Sequence, residues 1–400
     1  ALGFMQRSLE LEGDRAEVWS SYGNALVALG AFDEAVRALS QAVDLDPGRA
    51  VFWANLSNGY RQQGNLERAL QAVDRGLKLN GDLPGLHWNR ALVLLTQGAY
   101  AQGFQGYEWR YRRPGTSAPT WVTQAWRGKP RPDQVLELHT EQGFGDAIQF
   151  ARFVAAAAEK VGEVHLRVHP RMVEVLSSTP GVARVLPRGE PSTGGSVHHF
   201  LMSVPAVLGI ASLSDAPYLW ADAQRVEAWR RRILAQDRHQ NQLRVGICWQ
   251  GNPAFEADSL RSPSLEFLAP LTKVPGVRLI SLQKHHGLDQ LKKLGGQMGI
   301  EDLGSELDNG NQAFVDTAAL MKSMDVVISS DTATAHLSGA LGVETWVALN
   351  SSPDWRWGLH SERTPWYRNM RLFRQPEPGA WDRVYARIAD ALVERAGRTE

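Results

Sequence analysis

The sequence predicts an all-helical repeat array followed by two α/β units built on parallel sheets. Three observations carry that expectation. Gly30, Gly64 and Gly98 recur at an interval of 34 residues. From residue 134 onward, short apolar runs alternate with stretches of helical periodicity, as strand–helix–strand crossovers do. The alternation restarts near residue 243 after a polar span, so two successive sheets are expected. A length of 400 residues agrees with two or three domains.

Composition narrows the function classes. Hydrophobic residues make up 43% of the chain and charged residues 22%, enough for more than one core. Lys plus Arg and Asp plus Glu both number 43, so a broad basic face for nucleic acid is not expected. No apolar run reaches the roughly 18 residues of a membrane-spanning helix. The first residues, Ala1-Leu2-Gly3-Phe4-Met5-Gln6-Arg7, lack the basic-then-apolar order of a secretory signal. Cys248 is the single cysteine, which excludes an intramolecular disulfide and a thiolate zinc cluster. A reducing cytoplasm fits.

The repeat is read from several positions in one phase. Trp19, Trp53 and His87 share the interval, as do Ala35, Ala69 and Gly103, and Leu45, Leu79 and, more weakly, Arg113. A glycine at this phase ends one helix and turns the chain into the next, and a small residue five positions later lets two helices approach. Asp46-Pro47 closes a repeat because proline cannot continue a helix. Period and pattern match the tetratricopeptide repeat. Residues 16–49 and 50–83 are clear copies and 84–113 a drifted third. Residues 3–15 read as the second helix of a preceding repeat, so the chain is expected to begin inside one. The Trp, Leu and Ala positions are expected to pack between helices. Asn24, Asn58 and Arg61 are candidates on the groove such arrays offer to a protein or peptide.

The array is assigned to 1–113 and a linker to 114–133. Arg112-Arg113-Pro114-Gly115, Pro119, Pro130 and Pro132 argue against regular structure there, and Trp121 and Trp126 are expected to pin it to a neighbouring domain. In the first α/β unit, 134–225, strands are expected at 135–139, 164–168 and 182–186 and a helix at 146–160. A connector helix is expected at 226–237. In the second unit, 240–375, strands are expected at 243–249, 277–282, 326–329 and 345–349, with helices at 264–271, 314–323 and 332–341. An amphipathic helix at 381–396 lies within a C-terminal segment, 376–400. Two Rossmann-like units facing each other across a cleft are the expected result.

Four loops are placed to carry chemistry. Glu141-Gln142-Gly143-Phe144-Gly145-Asp146 joins a strand to a helix, with two glycines to admit a ligand. Asp146 either caps that helix or acts on a ligand. Ser329-Ser330-Asp331-Thr332-Ala333-Thr334-Ala335-His336 ends a strand and opens a helix whose first amides suit a diphosphate. The alternative there is a plain cap and tight helix–sheet packing, with His336 a buried core histidine. Gly246-Ile247-Cys248-Trp249-Gln250-Gly251-Asn252, with Arg261-Ser262 beyond, either grips phosphate oxygens or is an ordinary loop with a solvated arginine. Cys248 is expected to be buried and inert. Pro353-Asp354-Trp355-Arg356-Trp357 through Pro365-Trp366-Tyr367 either lines the cleft or packs the C-terminal helix.

Residues 326–349, with Asp331-Thr332 and His336 ahead of Gly339-Ala340-Leu341-Gly342, resemble the donor-binding segment of the ADP-heptose:lipopolysaccharide heptosyltransferase superfamily. Gly145-Asp146 resembles its N-terminal glycine–aspartate loop. The wider chain is similar to bacterial proteins that join tetratricopeptide repeats to such a transferase, flagellin glycosyltransferases among them. The shared stretches are Tyr107-Glu108-Trp109-Arg110, 141–150, Leu201-Met202-Ser203-Val204-Pro205, Ser281-Leu282-Gln283-Lys284, Asp354-Trp355-Arg356-Trp357 and Arg371-Leu372-Phe373-Arg374-Gln375. Two departures stand out. Ala333 replaces a frequent glycine, and His198-His199 stands where an aspartate is expected; both leave donor identity open.

The resemblance implies an α/β GT-B fold and an inverting, metal-independent glycosyltransferase with no cofactor beyond its nucleotide-sugar substrate. Asp146 is then the base. Arg261, Gln283, Lys284, Asp331, Thr332, Ala333, Thr334 and His336 hold the donor, and Gln142, Gly143, Gly145 and Gln149 line the acceptor side. The repeats recruit a protein or peptide acceptor. A repeat scaffold with a degenerate transferase domain, and a surface-polysaccharide transferase, are the alternatives. The one Asp-x-Asp triplet, Asp44-Leu45-Asp46, lies at a repeat end, far from any sugar-binding loop.

Overall fold

The computed structural model describes residues 2–11, 14–116, 125–192, 196–212, 217–235 and 242–397. Trp121 and Pro119 lie outside them. The chain forms two compact units. One holds the N-terminal 119 residues with Gly209–Ser212 and Ser352–His360, and the other holds the rest.

In the first unit, helices pair as the 34-residue period requires. Ala16–Ala28 pairs with Phe32–Leu45, Ala50–Gln62 with Leu66–Leu79, and Pro84–Thr96 with Tyr100–Tyr107. Helix Leu2–Leu11 precedes them. Gly30, Gly64 and Gly98 take left-handed φ values of 79°, 86° and 81°, which glycine adopts without steric cost. Ala35 and Ala69 are fully buried. A Cβ on Gly103 would lie 2.7 Å from the Leu95 side chain, so the helices do close where small residues were expected. Leu45 and Leu79 correct the packing expectation. They end their helices and are 38% and 48% exposed.

The second unit contains both α/β halves. Its strands are β1 (Arg131–His139), β2 (Val161–Val168), β3 (Arg184–Pro187), β4 (Val197–Phe200), β5 (Leu243–Cys248), β6 (Val277–Ser281), β7 (Glu301–Asp302), β8 (Val326–Ser330), β9 (Thr345–Leu349) and β10 (Met370–Arg374). Every pairing between these strands is parallel, in the orders β3-β2-β1-β4 and β10-β9-β8-β5-β6-β7. The first strand of each half is thus central and the order reverses beside it. Doubly wound sheets open a ligand crevice at the carboxyl ends of such strands.

Alternation explains the second sheet. Leu243, Val245, Ile247 and Trp249 share one face with Val326, Ile328, Trp346 and Ala348, under Val384, Tyr385 and Ile388 of the terminal helix Trp381–Ala396. Several local expectations are corrected. β1 begins at Arg131, within the expected linker, because it pairs with Val161 of β2 despite Pro132. The helix expected at 146–160 is three short pieces, Phe144–Phe150, Ala151–Phe153 and Val154–Ala158. The helix expected at 264–271 is a 3-10 run, Leu265–Lys273, interrupted by Pro270, which has no N–H to donate. Trp126 is buried and donates its indole N–H to the Lys129 carbonyl at 2.9 Å, while its backbone N–H joins His198. No helix among the described residues is long and apolar enough to cross a membrane.

Candidate active site

The helices that leave the carboxyl ends of β1 and β8 meet. Helix Phe144–Phe150 follows β1, helix Ala333–Ala340 follows β8, and their first turns abut. A Cβ built on Gly145 would stand 3.1 Å from His336 Cδ2 and 3.3 Å from Ala333 Cα. Glycine at 145 is therefore favoured by close approach, not by φ. Ala333, the departure from the superfamily pattern, presents its backbone to that glycine. Phe144 adds an edge contact to Phe314, with centroids 6.0 Å apart, and the Ala313 N–H reaches the Arg171 carbonyl at 2.7 Å.

Asp146 is half-buried and its Oδ2 accepts the Gly143 N–H at 2.9 Å. The capping reading of this residue is thus realised, and the carboxylate still sits in the first turn beside the junction. Gln142 and Gly143 are exposed. Gln142 has φ 57°, and the other described non-glycine residues with positive φ are His285, Asp308 and Phe314. All four follow carboxyl ends of strands. Backbone strain of this kind gathers at functional loops.

In the second half, Asp331, Thr332 and Ala333 are half-buried. Thr332 is the N-cap residue of helix Ala333–Ala340 without a side-chain cap bond. Its hydroxyl lies 3.2 Å from that of Ser329. Thr334 and His336 are buried. Cys248 is buried as expected, its thiol lies 3.4 Å from Gln283 Oε1, and burial drives its pKa up.

Three donor-site expectations change on inspection of the contacts. Gln283 is buried, and its Oε1 accepts the N–H groups of Trp249 and Gln250 at 2.9 and 3.0 Å while Nε2 donates to the Gln250 carbonyl at 2.8 Å. It staples the loop after β5. The Lys284 amine donates to the Leu307 carbonyl and to Asn309 Oδ1, pinning the loop after β7. Arg261 Nε pairs with buried Asp258 at 3.1 Å, its guanidinium lies 4.4 Å from the Phe255 ring centroid, and Gly251 passes over it. On the acceptor side Gln149 is fully buried, so it does not line an open cleft.

Two further clusters were not singled out in the sequence. Arg152, Tyr218 and Tyr367 form a buried polar chain that ends on His336, whose Nδ1 is 3.0 Å from the Tyr367 hydroxyl. A lone arginine in the apolar run 147–158 was the available signal. At the end of β1, Glu137, His139 and His198 bring ligand-type atoms within 4.8 Å of one another. Arg167 already grips Glu137 through Nε and Nη2 at 2.9 and 3.1 Å, and Ser192 donates to the same carboxylate at 2.8 Å. That carboxylate is charge-matched and saturated, so the donor set suits a hydrogen-bond network better than a cation. Burial, with the nearby His198 and Arg167 charges, drives the His139 pKa down to about 4.

A hollow of about 450 Å³ lies elsewhere, lined by Glu344, Arg363, Arg371 and Arg395. It sits at the amino ends of β9 and β10, the edge opposite the junction. The last aromatic segment packs. Trp355, Trp357, Trp366 and Tyr367 are all buried, and Trp355 meets Phe104 and Tyr107 of the repeats, not the C-terminal helix.

Comparison with known proteins agrees with this architecture. Residues 26–87 match the tetratricopeptide repeat. Protein FlbA of Caulobacter vibrioides is 25% identical over 346 residues, which are 79% of this chain and 56% of that protein. The chain thus spans about half the length of this curated relative. The crystal structure of the glycosyl transferase family 9 protein from Veillonella parvula superposes on 68% of this chain and 99% of its own, at 9% identity and a TM-score of 0.50. ADP-heptose LPS heptosyltransferase II of E. coli aligns over 66% of this chain and 99% of its own, at 12% identity and a TM-score of 0.49. The chain combines tetratricopeptide repeats with a unit of the GT-B glycosyltransferase fold.

Proposed function

We propose that this chain is a glycosyltransferase that moves a sugar from a nucleotide-activated donor to a hydroxyl group of a protein held by the repeats. The observation that carries the reading is the contact of Gly145 with Ala333 and His336, which sets the Asp146 carboxylate beside the opening turn of helix Ala333–Ala340. A hydroxyl is a poor nucleophile at neutral pH. The Asp146 carboxylate takes its proton as the oxygen attacks the anomeric carbon. The bond from that carbon to the nucleotide phosphate breaks on the opposite face, so configuration inverts. The amides of Ala333 and Thr334, at the start of that helix, receive the charge that collects on the departing phosphate, a role for which no metal is needed.

Asp146→Asn tests the base. The amide oxygen can still accept the Gly143 N–H, so the fold and donor affinity are expected to survive while transfer falls about 100-fold or more. Transfer near the wild-type rate would remove Asp146 from this role. Helix Ala50–Gln62 bears on recruitment. Arg61 donates to Asn58 Oδ1 at 2.8 Å and faces Asp354, and Gln62 accepts from Ser352. That part of the repeat surface is occupied by the chain itself, which leaves exposed Asn24 as the recruiting candidate.

A second reading, a repeat scaffold with an inactive transferase unit, draws on the internal engagement of Arg261, Gln283 and Lys284. A thermal-shift panel of nucleotides and nucleotide sugars separates the two. A rise in Tm with one nucleotide family supports the enzyme, and no rise with any member supports the scaffold.

A further inference from the structure

The chain of buried polar groups that ends on His336 takes no part in the reaction as drawn. Arg152 is its source. The guanidinium is buried, and Nε donates to the Gln149 carbonyl at 3.0 Å, Nη1 to the Trp366 carbonyl at 2.7 Å and Nη2 to the Tyr218 hydroxyl at 3.2 Å. It also hydrogen-bonds the Tyr367 hydroxyl. The rings of Tyr218, Trp366 and Tyr367 surround it, with centroids 4.8, 5.1 and 4.6 Å from Cζ. Groups from both halves of the GT-B unit therefore converge on one cation.

The source constrains the protons along the chain. A guanidinium donates and never accepts, so the oxygens of Tyr218 and Tyr367 both receive N–H groups. Each hydroxyl then has one proton to place. Tyr218 has the Gln149 carbonyl and the Tyr367 oxygen, both at 3.4 Å. Tyr367 has His336 Nδ1 at 3.0 Å and Tyr218 at 3.4 Å, and with its proton on the shorter contact Nδ1 is the acceptor. Burial holds the Tyr367 hydroxyl well above the usual tyrosine range, so that proton is present at any working pH. A neutral imidazole that accepts at Nδ1 carries its hydrogen on Nε2. The ring carbon next to Nε2 is the Cδ2 that closes on Gly145.

We propose that Arg152 is a positioning residue that acts through Tyr367 to hold His336 as its Nε2–H tautomer, setting one fixed hydrogen-bond donor at the Gly145–Ala333 junction. The group such a donor suits is an oxygen of a diphosphate, and that consequence rests on the donor-site reading above. The tautomer itself does not. With Nδ1 occupied by the Tyr367 hydroxyl, the ring does not present that lone pair to the crevice.

The test reads the imidazole directly. The full chain is labelled with 15N-histidine, His336 is identified by its loss in His336→Gln, and two-bond 1H–15N spectra report which nitrogen carries the proton. The wild type at neutral pH is expected to show a protonated Nε2 and a bare, hydrogen-bonded Nδ1. Tyr367→Phe and Arg152→Lys are expected to turn His336 into a mixture of tautomers while the other histidines hold their signals. A wild-type Nδ1–H form, a doubly protonated ring, or an unchanged His336 signal in a folded Tyr367→Phe chain overturns the proposal. The wild-type spectrum decides alone if either variant fails to fold. Inorganic pyrophosphate added to the wild type tests the donor site separately. A displaced His336 Nε2 signal supports that reading, whereas no displacement counts against the donor site and leaves the tautomer result intact.

Discussion

Trp53 donates its indole N–H to the Pro47 carbonyl at 2.9 Å, and one period later His87 Nε2 joins the Gly81 carbonyl at 2.7 Å. A carbonyl only accepts, so His87 carries its hydrogen on Nε2 and repeats the tryptophan's bond with a smaller ring. The space it frees is filled by Trp109, stacked at 3.7 Å and 7°. At the same scale, His139 makes a pH prediction. Burial keeps its folded pKa near 4, against 6.5 as the ordinary value. Between those two values the unfolded chain binds a proton that the folded chain refuses, so stability falls as pH drops from about 6.5 to about 4 and levels off below. The contribution at neutral pH is on the order of 2 kcal/mol after allowance for the ring's partial exposure. His139→Gln is expected to flatten that part of the stability–pH curve in denaturant titrations. An identical slope in the variant would assign the acid loss to other groups. Asp146, Asp331 and His336 stood out in the sequence because strand ends and helix starts are local signals. The engagement of Gln149, Gln283 and Lys284 did not, because their partners are chosen by elements distant along the chain.

Between elements, the decisive contact is the closure of helix Phe144–Phe150 on helix Ala333–Ala340. Gly145→Ala puts a methyl 3.1 Å from His336 Cδ2 and 3.3 Å from the Ala333 backbone, and backbone does not yield as a side chain does. The expected cost is about 1–3 kcal/mol, together with weaker donor binding as the two helix starts are forced apart. Thermal denaturation and nucleotide titration of the variant check both. Wild-type values for both would show that the junction tolerates a wider gap. The same scale explains the misread helices. Residues 146–160 are apolar throughout much of their length, so periodicity suggested one helix. The segment is three pieces, and within its middle piece Arg152 turns inward to the Gln149 and Trp366 carbonyls. Strands β4, β7 and β10 were missed as strands because a short edge element is stabilised by its neighbour and leaves little pattern of its own.

The division into units cuts across the order of the chain. Residues Ser352–His360 leave the second sheet after β9 and belong to the repeat unit, where Trp355 sits against Phe104 and Tyr107 with centroids 6.1 and 6.0 Å away. Removing residues 1–113 would therefore strip Phe104 and Tyr107 from the buried Trp355. The truncated chain is expected to aggregate or to melt at a lower temperature than the full chain, as differential scanning calorimetry would register. Trp355→Ala in the full chain is expected to cost about 3–5 kcal/mol through the same contacts. An unchanged Tm in either case would mean that the segment adds nothing to the unit. Recruitment of an acceptor is accordingly better tested by substituting exposed repeat residues such as Asn24 than by deletion.

The amino-acid order alone determined the 34-residue helical repeat, the two rounds of strand and helix, and the loops at the strand ends. Each depends on the period of apolar side chains and on glycine or proline within a few residues, and such signals survive without knowledge of the fold. The tertiary structure alone decided that residue 145 meets 333 and 336, that 152 reaches 366, and that 61 faces 354. Those meetings depend on how whole sheets and helices pack, and no short stretch of sequence carries that information.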